Sequence, residues 1–118
     1  MKTDLKICRR ALEMVGAKQI RSLKDKTIEA QLCNQIYKDA RDQLLTGFRW
    51  SFAPPKTGDE FPDYFEHALV ARVSARLATC LEQPSTKQAA LHEKARLEFE
   101  RAKFYDGQDF MTRQGGAQ

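Results

Sequence analysis

The segment FPDYFEHALVARVSARLATCL, residues 61–81, decides the fold. Its large apolar residues recur at intervals of four: Phe61, Phe65, Leu69, Val73, Leu77 and Leu81. Because four residues overshoot one helical turn by about 40°, this stripe winds around a helix. Small residues form a second stripe on another side: Ala68, Ala71, Ala75 and Ala78. A helix that is apolar on two sides is enclosed on two sides, so we expect a central helix whose alanines let another helix approach closely.

Two amphipathic helices precede this segment. The first is predicted to begin near Thr3 or Asp4 and to end at Gly16, with a buried face formed by Leu5, Cys8, Leu12 and Val15. The second is predicted over residues 27–46, where apolar residues recur every four positions as Ile28, Leu32, Ile36, Ala40 and Leu44. In the polar connector between the two helices, Ile20 and Leu23 are expected to pack back on the core.

A fourth helix is predicted after Pro84. Ser85 and Gln88 form a capping-box pattern at its start, and Gly107 is a typical residue just past a helix end. The remaining stretch, 107–118, is polar and glycine-rich, which is typical of a flexible terminus. The sequence therefore predicts an all-α four-helix bundle over residues 1–106 and an extended, flexible C-terminal arm over residues 107–118.

Three aromatic side chains alternate immediately after the second helix, as Phe48, Trp50 and Phe52. Prolines then make residues 54–60 a short irregular connector. Aromatic side chains of this size are expected to be buried against other apolar groups, and the sequence leaves two alternatives for what buries them. They pack either into the core of their own chain or against a neighbouring subunit.

Length and composition indicate one globular domain. The chain has 118 residues, of which 42% are hydrophobic and 31% charged, and no apolar run approaches the length of about 20 residues that a membrane span needs. The N-terminal residues lack the apolar core of a secretory signal, so we expect synthesis in the cytoplasm of a host cell. The three cysteines, Cys8, Cys33 and Cys80, are odd in number and are expected to be reduced and buried.

The net charge of +4 is concentrated at the N-terminus, where residues 1–26 hold eight Lys and Arg residues against three Asp and Glu residues. The candidates for a charged function there are Lys6, Arg9, Arg10, Lys18 and Arg21. They would lie on the surface of an assembly or line a DNA channel, or they are simply solvated helix-surface charges. A small helical regulator that binds DNA through this region is the alternative function.

Recognisable catalytic parts are few. His67 and His92 lie in different predicted helices without metal-ligand spacing, and there is no glycine-rich phosphate loop, nucleophile elbow or paired-cysteine motif. We therefore expect neither an enzyme nor a bound metal or cofactor.

Several segments, taken in order, resemble the head-to-tail adaptor proteins of tailed bacteriophages, also called head completion or connector proteins and related to podophage tail accessory factors. These segments are Ala11–Ala17, Ile20–Leu23, Glu29–Cys33, Tyr37, Ala40–Asp42, Leu44–Leu45 and Trp50–Ala53. The resemblance covers about the first 53 residues, with a weaker similarity in the third and fourth helices. Many relatives carry a longer, strand-containing insertion where this chain has only Pro54 to Phe61.

The resemblance implies a virion protein at the head–tail junction. Its subunits would form a ring, typically of twelve copies, beneath the portal. The ring would extend the DNA channel, with non-specific DNA contact, and would offer a platform for the next tail or stopper protein. No membrane is involved. The C-terminal segment would dock on the portal, which assigns a docking role to Tyr105, Phe110, Met111 and Arg113.

Overall fold

The computed structural model describes residues 2–53 and 61–116, and within them the chain is all-α. Four helices follow one another: α1 is Thr3–Val15, α2 is Ile28–Thr46, α3 is Asp63–Cys80 and α4 is Ser85–Gly116. The four-helix prediction is confirmed. None of these helices is both long and apolar enough to cross a membrane. The predicted proline connector, residues 54–60, lies outside the described residues.

Helix α3 is the centre of the fold. It packs against α1, α2 and α4, whereas α4 packs against no other described helix. On α3, the stripe of large apolar residues is buried at Phe65, Leu69, Val73 and Leu77. The stripe of small residues is buried at Ala68, Ala71, Ala75 and Ala78. The prediction of a central helix that is covered on two sides is therefore confirmed.

The ends of α1 and α3 are closed by left-handed turns. Gly16 has a φ of 72°, and the N–H of Ala17 donates to the carbonyl of Leu12 at 3.0 Å. This is the glycine-ended helix that the sequence predicts. At the end of α3, Glu82 takes a φ of 53° without being glycine, and the N–H of Gln83 donates to the Ala78 carbonyl. That turn reverses the chain directly into α4.

Contacts made by the connectors hold the N-terminal half together. Ile20 is buried and Leu23 packs against the core, as expected. The side chains of Gln83 and Lys87 both donate to the Val15 carbonyl at 2.8 Å, which satisfies an open carbonyl at the end of α1. The start of α4 is thereby fixed to the end of α1.

The predicted start of α4 is wrong in detail. Ser85 is already helical, and the first helical hydrogen bond runs from the Gln88 N–H to the Pro84 carbonyl. Proline has no N–H for Gln88 to cap, so a capping box cannot form there. The Gln88 side chain donates instead to the Gln83 carbonyl at 2.7 Å.

The predicted end of α4 at Gly107 is also wrong. The helix continues through Gly107 to Gly116 and is 32 residues long. Among the described glycines only Gly16 has a positive φ, so Gly107 does not adopt the left-handed turn that ends a helix. The segment predicted to be an extended arm is, as far as Gly116, the last part of one long helix.

The cysteines divide into two kinds. Cys8 and Cys33 are buried at the contact of α1 with α2, where the Cys8 Sγ lies 3.8 Å from the Cys33 carbonyl oxygen. The hydrogen bond with Cys33 and, after it, burial raise the pKa of the Cys8 thiol, so it stays protonated. Cys80 is exposed at the end of α3, and its predicted burial is wrong because it lies on the solvent side of the last turn, whose core side is formed by Leu77 and Ala78.

Candidate interaction surface

From Leu97 onward, α4 exposes large apolar side chains to solvent. The largest exposed fractions belong to Met111 at 72%, Phe104 at 62% and Leu97 at 53%. These three residues are seven positions apart, which brings them to one side of the helix within about 20° per step. We call Leu97, Phe104 and Met111 the apolar face of α4.

The apolar face lies nearly opposite the side of α4 that packs on the bundle. Ala102 and Asp106 are buried on that packed side, and each is about 200° around the helix from Phe104. Tyr105 and Phe110 flank the apolar face and are 42% and 47% exposed. An isolated apolar residue on a surface needs no explanation, but a repeated row of them indicates a site of contact with another molecule.

Asp106 anchors this part of α4 to the bundle. It is only 3% exposed, and its carboxylate accepts hydrogen bonds from the Ser51 N–H at 2.9 Å, from the Ser51 hydroxyl at 2.9 Å and from the Tyr64 hydroxyl at 2.8 Å. A buried carboxylate is tolerated when donors surround it, as they do here. We call Asp106, Ser51 and Tyr64 the Asp106 anchor.

The anchor changes the acidity of the tyrosine. Burial raises the pKa of Tyr64 above its ordinary value, and the hydrogen bond to Asp106 and the charge of that carboxylate raise it further. The Tyr64 hydroxyl therefore keeps its proton and donates a hydrogen bond to Asp106 throughout the neutral pH range.

Arg113 extends the contact with Ser51. Its guanidinium donates to the Ser51 carbonyl at 3.2 Å and to the Ser51 hydroxyl, and it lies 3.8 Å from the Asp109 carboxylate. The resemblance assigns Arg113 to a docking role, whereas the structure places it on the packed side of α4. Tyr105, Phe110 and Met111 are exposed, and the Arg113 side chain is exposed as well although its guanidinium bonds to Ser51.

The three aromatic residues after α2 pack within the chain. Trp50 contacts Phe65 edge-on, with ring centroids 5.1 Å apart, and Phe52 contacts both Phe65 at 5.3 Å and Trp50 at 5.8 Å. The indole N–H of Trp50 donates to the Leu44 carbonyl at 2.7 Å, and Phe48 contacts Trp50 edge-on, with ring centroids 4.9 Å apart. Of the two alternatives for this group, the structure shows packing into its own core.

The basic candidates do not form one patch. The Lys6 ammonium lies 2.9 Å from the buried carboxylate of Glu66 on α3, so this lysine contributes to the internal contact of α1 with α3. Arg10, Lys18 and Arg21 are exposed, and Arg9 is half-buried with its carbonyl accepting from the Gln19 side chain.

A groove of about 550 Å³ lies between the start of α3 and the far half of α4. Its polar lining includes Asp63, His67, Glu98, Arg101 and Asp109. In the described part of the chain, no group of three or more His, Cys, Asp or Glu side chains is arranged to hold a metal ion. The charged groups of this groove are three carboxylates and one guanidinium, and such a mixture is typical of a solvated helix contact.

No family model, no curated protein and no solved structure matches the chain. The residues that sequence reasoning missed are Asp106, Leu97 and Phe104. The seven-residue spacing of Leu97, Phe104 and Met111 was a signal that could have revealed the apolar face. Asp106 gave no such signal, because its partner Ser51 is 55 positions away in the sequence.

Proposed function

We propose that this chain is a structural virion protein of a tailed bacteriophage, a head-to-tail adaptor. In this proposal it assembles with further copies of itself as a ring, of about twelve subunits, beneath the portal. The ring extends the DNA channel and carries the next tail or stopper protein. The order and spacing of the segments between Ala11 and Ala53 support the family, and the apolar face of α4 supports assembly as the mode of action.

The apolar face is the single observation that carries the proposal. Leu97, Phe104 and Met111 are large, exposed and aligned, and they lie on a helix whose other side is fixed to the bundle. Because the Asp106 anchor holds the helix in place, the face is presented without an ordering cost at the time of binding. A partner that covers these side chains gains the hydrophobic contribution that the isolated chain leaves unused.

The direct test uses a double variant, Phe104→Ser with Met111→Ser. We expect it to keep the helical circular dichroism spectrum and thermal midpoint of the unaltered chain, because both side chains are solvent-exposed. We expect it to lose binding to the portal protein encoded in the same genome, measured by co-elution in size-exclusion chromatography. The matched control is Gln108→Ser with Gln114→Ser, which changes two exposed polar residues of the same helix and should co-elute with the portal.

A truncation provides an independent second test. Removal of residues 107–118 leaves Asp106 in place, so we expect the bundle to remain folded while portal binding is lost. Retained portal binding in both the truncated chain and the double variant overturns the proposal. Steep, salt-sensitive binding to duplex DNA without any portal binding would instead favour a DNA-binding regulator.

A further inference from the structure

Three arginine side chains converge on a second groove, away from the apolar face. This groove has a volume of about 440 Å³ and lies on the side of α3 where α2 and α4 flank it. Arg72 and Arg76 stand one turn apart on α3, and Arg96 faces them from α4. Small side chains, Ala75 and Ala95, leave the space between them open. We call this the arginine groove.

The guanidinium of Arg76 is incompletely satisfied. Its Nη1 atom is buried and has no hydrogen-bond acceptor within the protein. Its nearest carboxylate, Asp39, is 3.8 Å from Nη2, which is long for a hydrogen bond, and the Asp39 side chain is 62% exposed. A buried donor without an acceptor is unfavourable, and such groups are rare in folded proteins unless a ligand or water completes them.

The neighbouring arginines have partners within the chain, a neutral group for Arg72 and a carboxylate of its own helix for Arg96. Arg72 donates to the side-chain carbonyl of Gln43 at 2.8 Å, a contact that carries no counter-charge. Arg96 is paired with Glu93 on its own helix at 2.6 Å. His92 lies at the edge of the groove with its Nε2 3.0 Å from the Thr79 hydroxyl. Three guanidinium groups thus share two exposed carboxylates.

The closeness of Arg72 and Arg76 on α3 affects the pKa of Arg72. Desolvation lowers the pKa of Arg72, and the positive charge of Arg76 lowers it further. Like charges placed side by side repel each other, and an anion held between them removes that repulsion. The groove is therefore lined by an arginine with one guanidinium nitrogen that lacks an acceptor and by an excess of positive charge.

We infer that the arginine groove binds a phosphate-class oxyanion, with Arg76 as its principal ligand and Arg72 as the second. The planar fork of a guanidinium donates two parallel hydrogen bonds to such an anion, and two forks one helical turn apart approach it from two directions. The volume of the groove accommodates a single tetrahedral group together with water. The inference is independent of the adaptor proposal, since none of these residues belongs to the apolar face.

The experiment titrates the full chain with inorganic phosphate by isothermal calorimetry at low ionic strength. We expect saturable binding with one site per chain, weakened about tenfold or more in Arg76→Gln, since that variant loses a charge-assisted partner. Arg49→Gln is the matched control, because Arg49 is an exposed arginine outside the groove. A second variant, Ala95→Leu, keeps every charge but fills the groove, and we expect it to weaken binding as well. Circular dichroism melts of each variant confirm that it is folded.

Two further probes separate the sources of the anion. Binding of a short DNA duplex that also depends on Arg76 would assign the ligand to a backbone phosphate. Duplex binding that ignores Arg76, beside phosphate binding that requires it, would assign it to a free phosphate or a monoester. The inference is overturned if inorganic phosphate does not saturate the chain, if Arg76→Gln and Arg49→Gln bind it equally, or if acetate binds as tightly as phosphate.

Discussion

Helices α3 and α4 are neighbours in the chain and differ in how much of their surface the molecule itself covers. Eleven of the 18 residues of α3 are buried. In α4, among residues 85–114, whose burial the structure describes, only Ala102 and Asp106 are buried. Of the six large apolar side chains that are exposed in the described chain, five lie on α4: Leu97, Phe104, Tyr105, Phe110 and Met111. Helix α3 thus completes the fold, whereas α4 offers surface for a further molecule.

The two helices also use polar groups differently. On α3, Glu66 is buried with Lys6 and Ser74 donates to the Val70 carbonyl at 2.7 Å, so these two polar residues serve the inside of the bundle. On α4, ion pairs such as Arg96 with Glu93 and Lys103 with Glu100 lie in solvent and contribute little to stability. Helix α4 nevertheless makes its contact with the bundle along α3, and the Asp106 anchor is the most buried polar contact on it.

The strongest test of this contrast compares one phenylalanine from each helix. Phe65→Ala removes a fully buried ring at the centre of the aromatic cluster and is expected to lower the free energy of unfolding by about 3–5 kcal/mol. Phe104→Ala removes an exposed ring and is expected to change it by no more than about 0.5 kcal/mol. Urea titrations followed by circular dichroism measure both. Similar losses in the two variants would show that α4 is as fully integrated as α3.

The second test addresses how α4 is held. Asp106→Ala leaves the Ser51 N–H and the Tyr64 hydroxyl without their acceptor, and we expect it to destabilise the chain by about 2–4 kcal/mol. Asp109→Ala is the matched control, because it removes an exposed carboxylate from the next turn and is expected to cost no more than about 0.5 kcal/mol. Hydrogen exchange should show the loss of protection beginning in α4. Equal stability of the two variants would contradict the anchoring role of Asp106.

The third test uses alkaline pH. Burial raises the pKa of Tyr37 to about 12, and Tyr64 is shifted in the same direction. Above pH 10 an unfolded tyrosine loses its proton while these native tyrosines keep theirs, so the unfolded state binds fewer protons and stability falls as pH rises.

The variant for this third test is Tyr64→Phe, which should lose about 1–2 kcal/mol at neutral pH with its hydrogen bond. Its stability should then decline less steeply above pH 10 than that of the unaltered chain. Tyr105→Phe, which alters an exposed ring on α4, serves as the control. If the stability of Tyr64→Phe fell with pH above pH 10 as steeply as that of the unaltered chain, Tyr64 would make no contribution to the alkaline loss of stability.

The smallest expected effect is a gain in stability. Gly107 lies inside α4 with a helical backbone, and a Cβ added there meets no atom within 4 Å. Gly107→Ala should therefore stabilise the chain by about 0.5–1 kcal/mol through the higher helix propensity of alanine. A rise in the thermal midpoint and in helical circular dichroism checks it. The same substitution at Gly16, where φ is positive, should destabilise the chain.

Much of the fold could be predicted because its signals are local. The apolar spacing from Phe61 to Leu81 gave the central helix, and Gly16 marked the end of α1 by the one conformation that glycine favours. The boundaries of α2 and α3 follow from Thr27, which caps the Ala30 N–H, and from Pro62. In each case the residues that determine a helix or its end lie in the same short stretch of chain as that helix or end.

The errors came from contacts between distant residues. Gly107 reads as a helix end, yet Asp106 and Arg113 on either side of it bond to Ser51, and these contacts stabilise the helical path through the glycine. The burial of Asp106 depends on a partner more than 50 positions away, which no spacing rule reveals. The arginine groove is likewise built from three helices, and its members are far apart in sequence.

The single tryptophan stands where three helices meet. Its indole N–H bonds to the last turns of α2 through Leu44, and its ring contacts Phe65 of α3 and Phe99 of α4. Indole emission shifts in colour and brightness with the polarity around the ring. The fluorescence of Trp50 therefore reports whether α4 remains packed against the bundle. It can be followed while a partner binds, without attaching a dye.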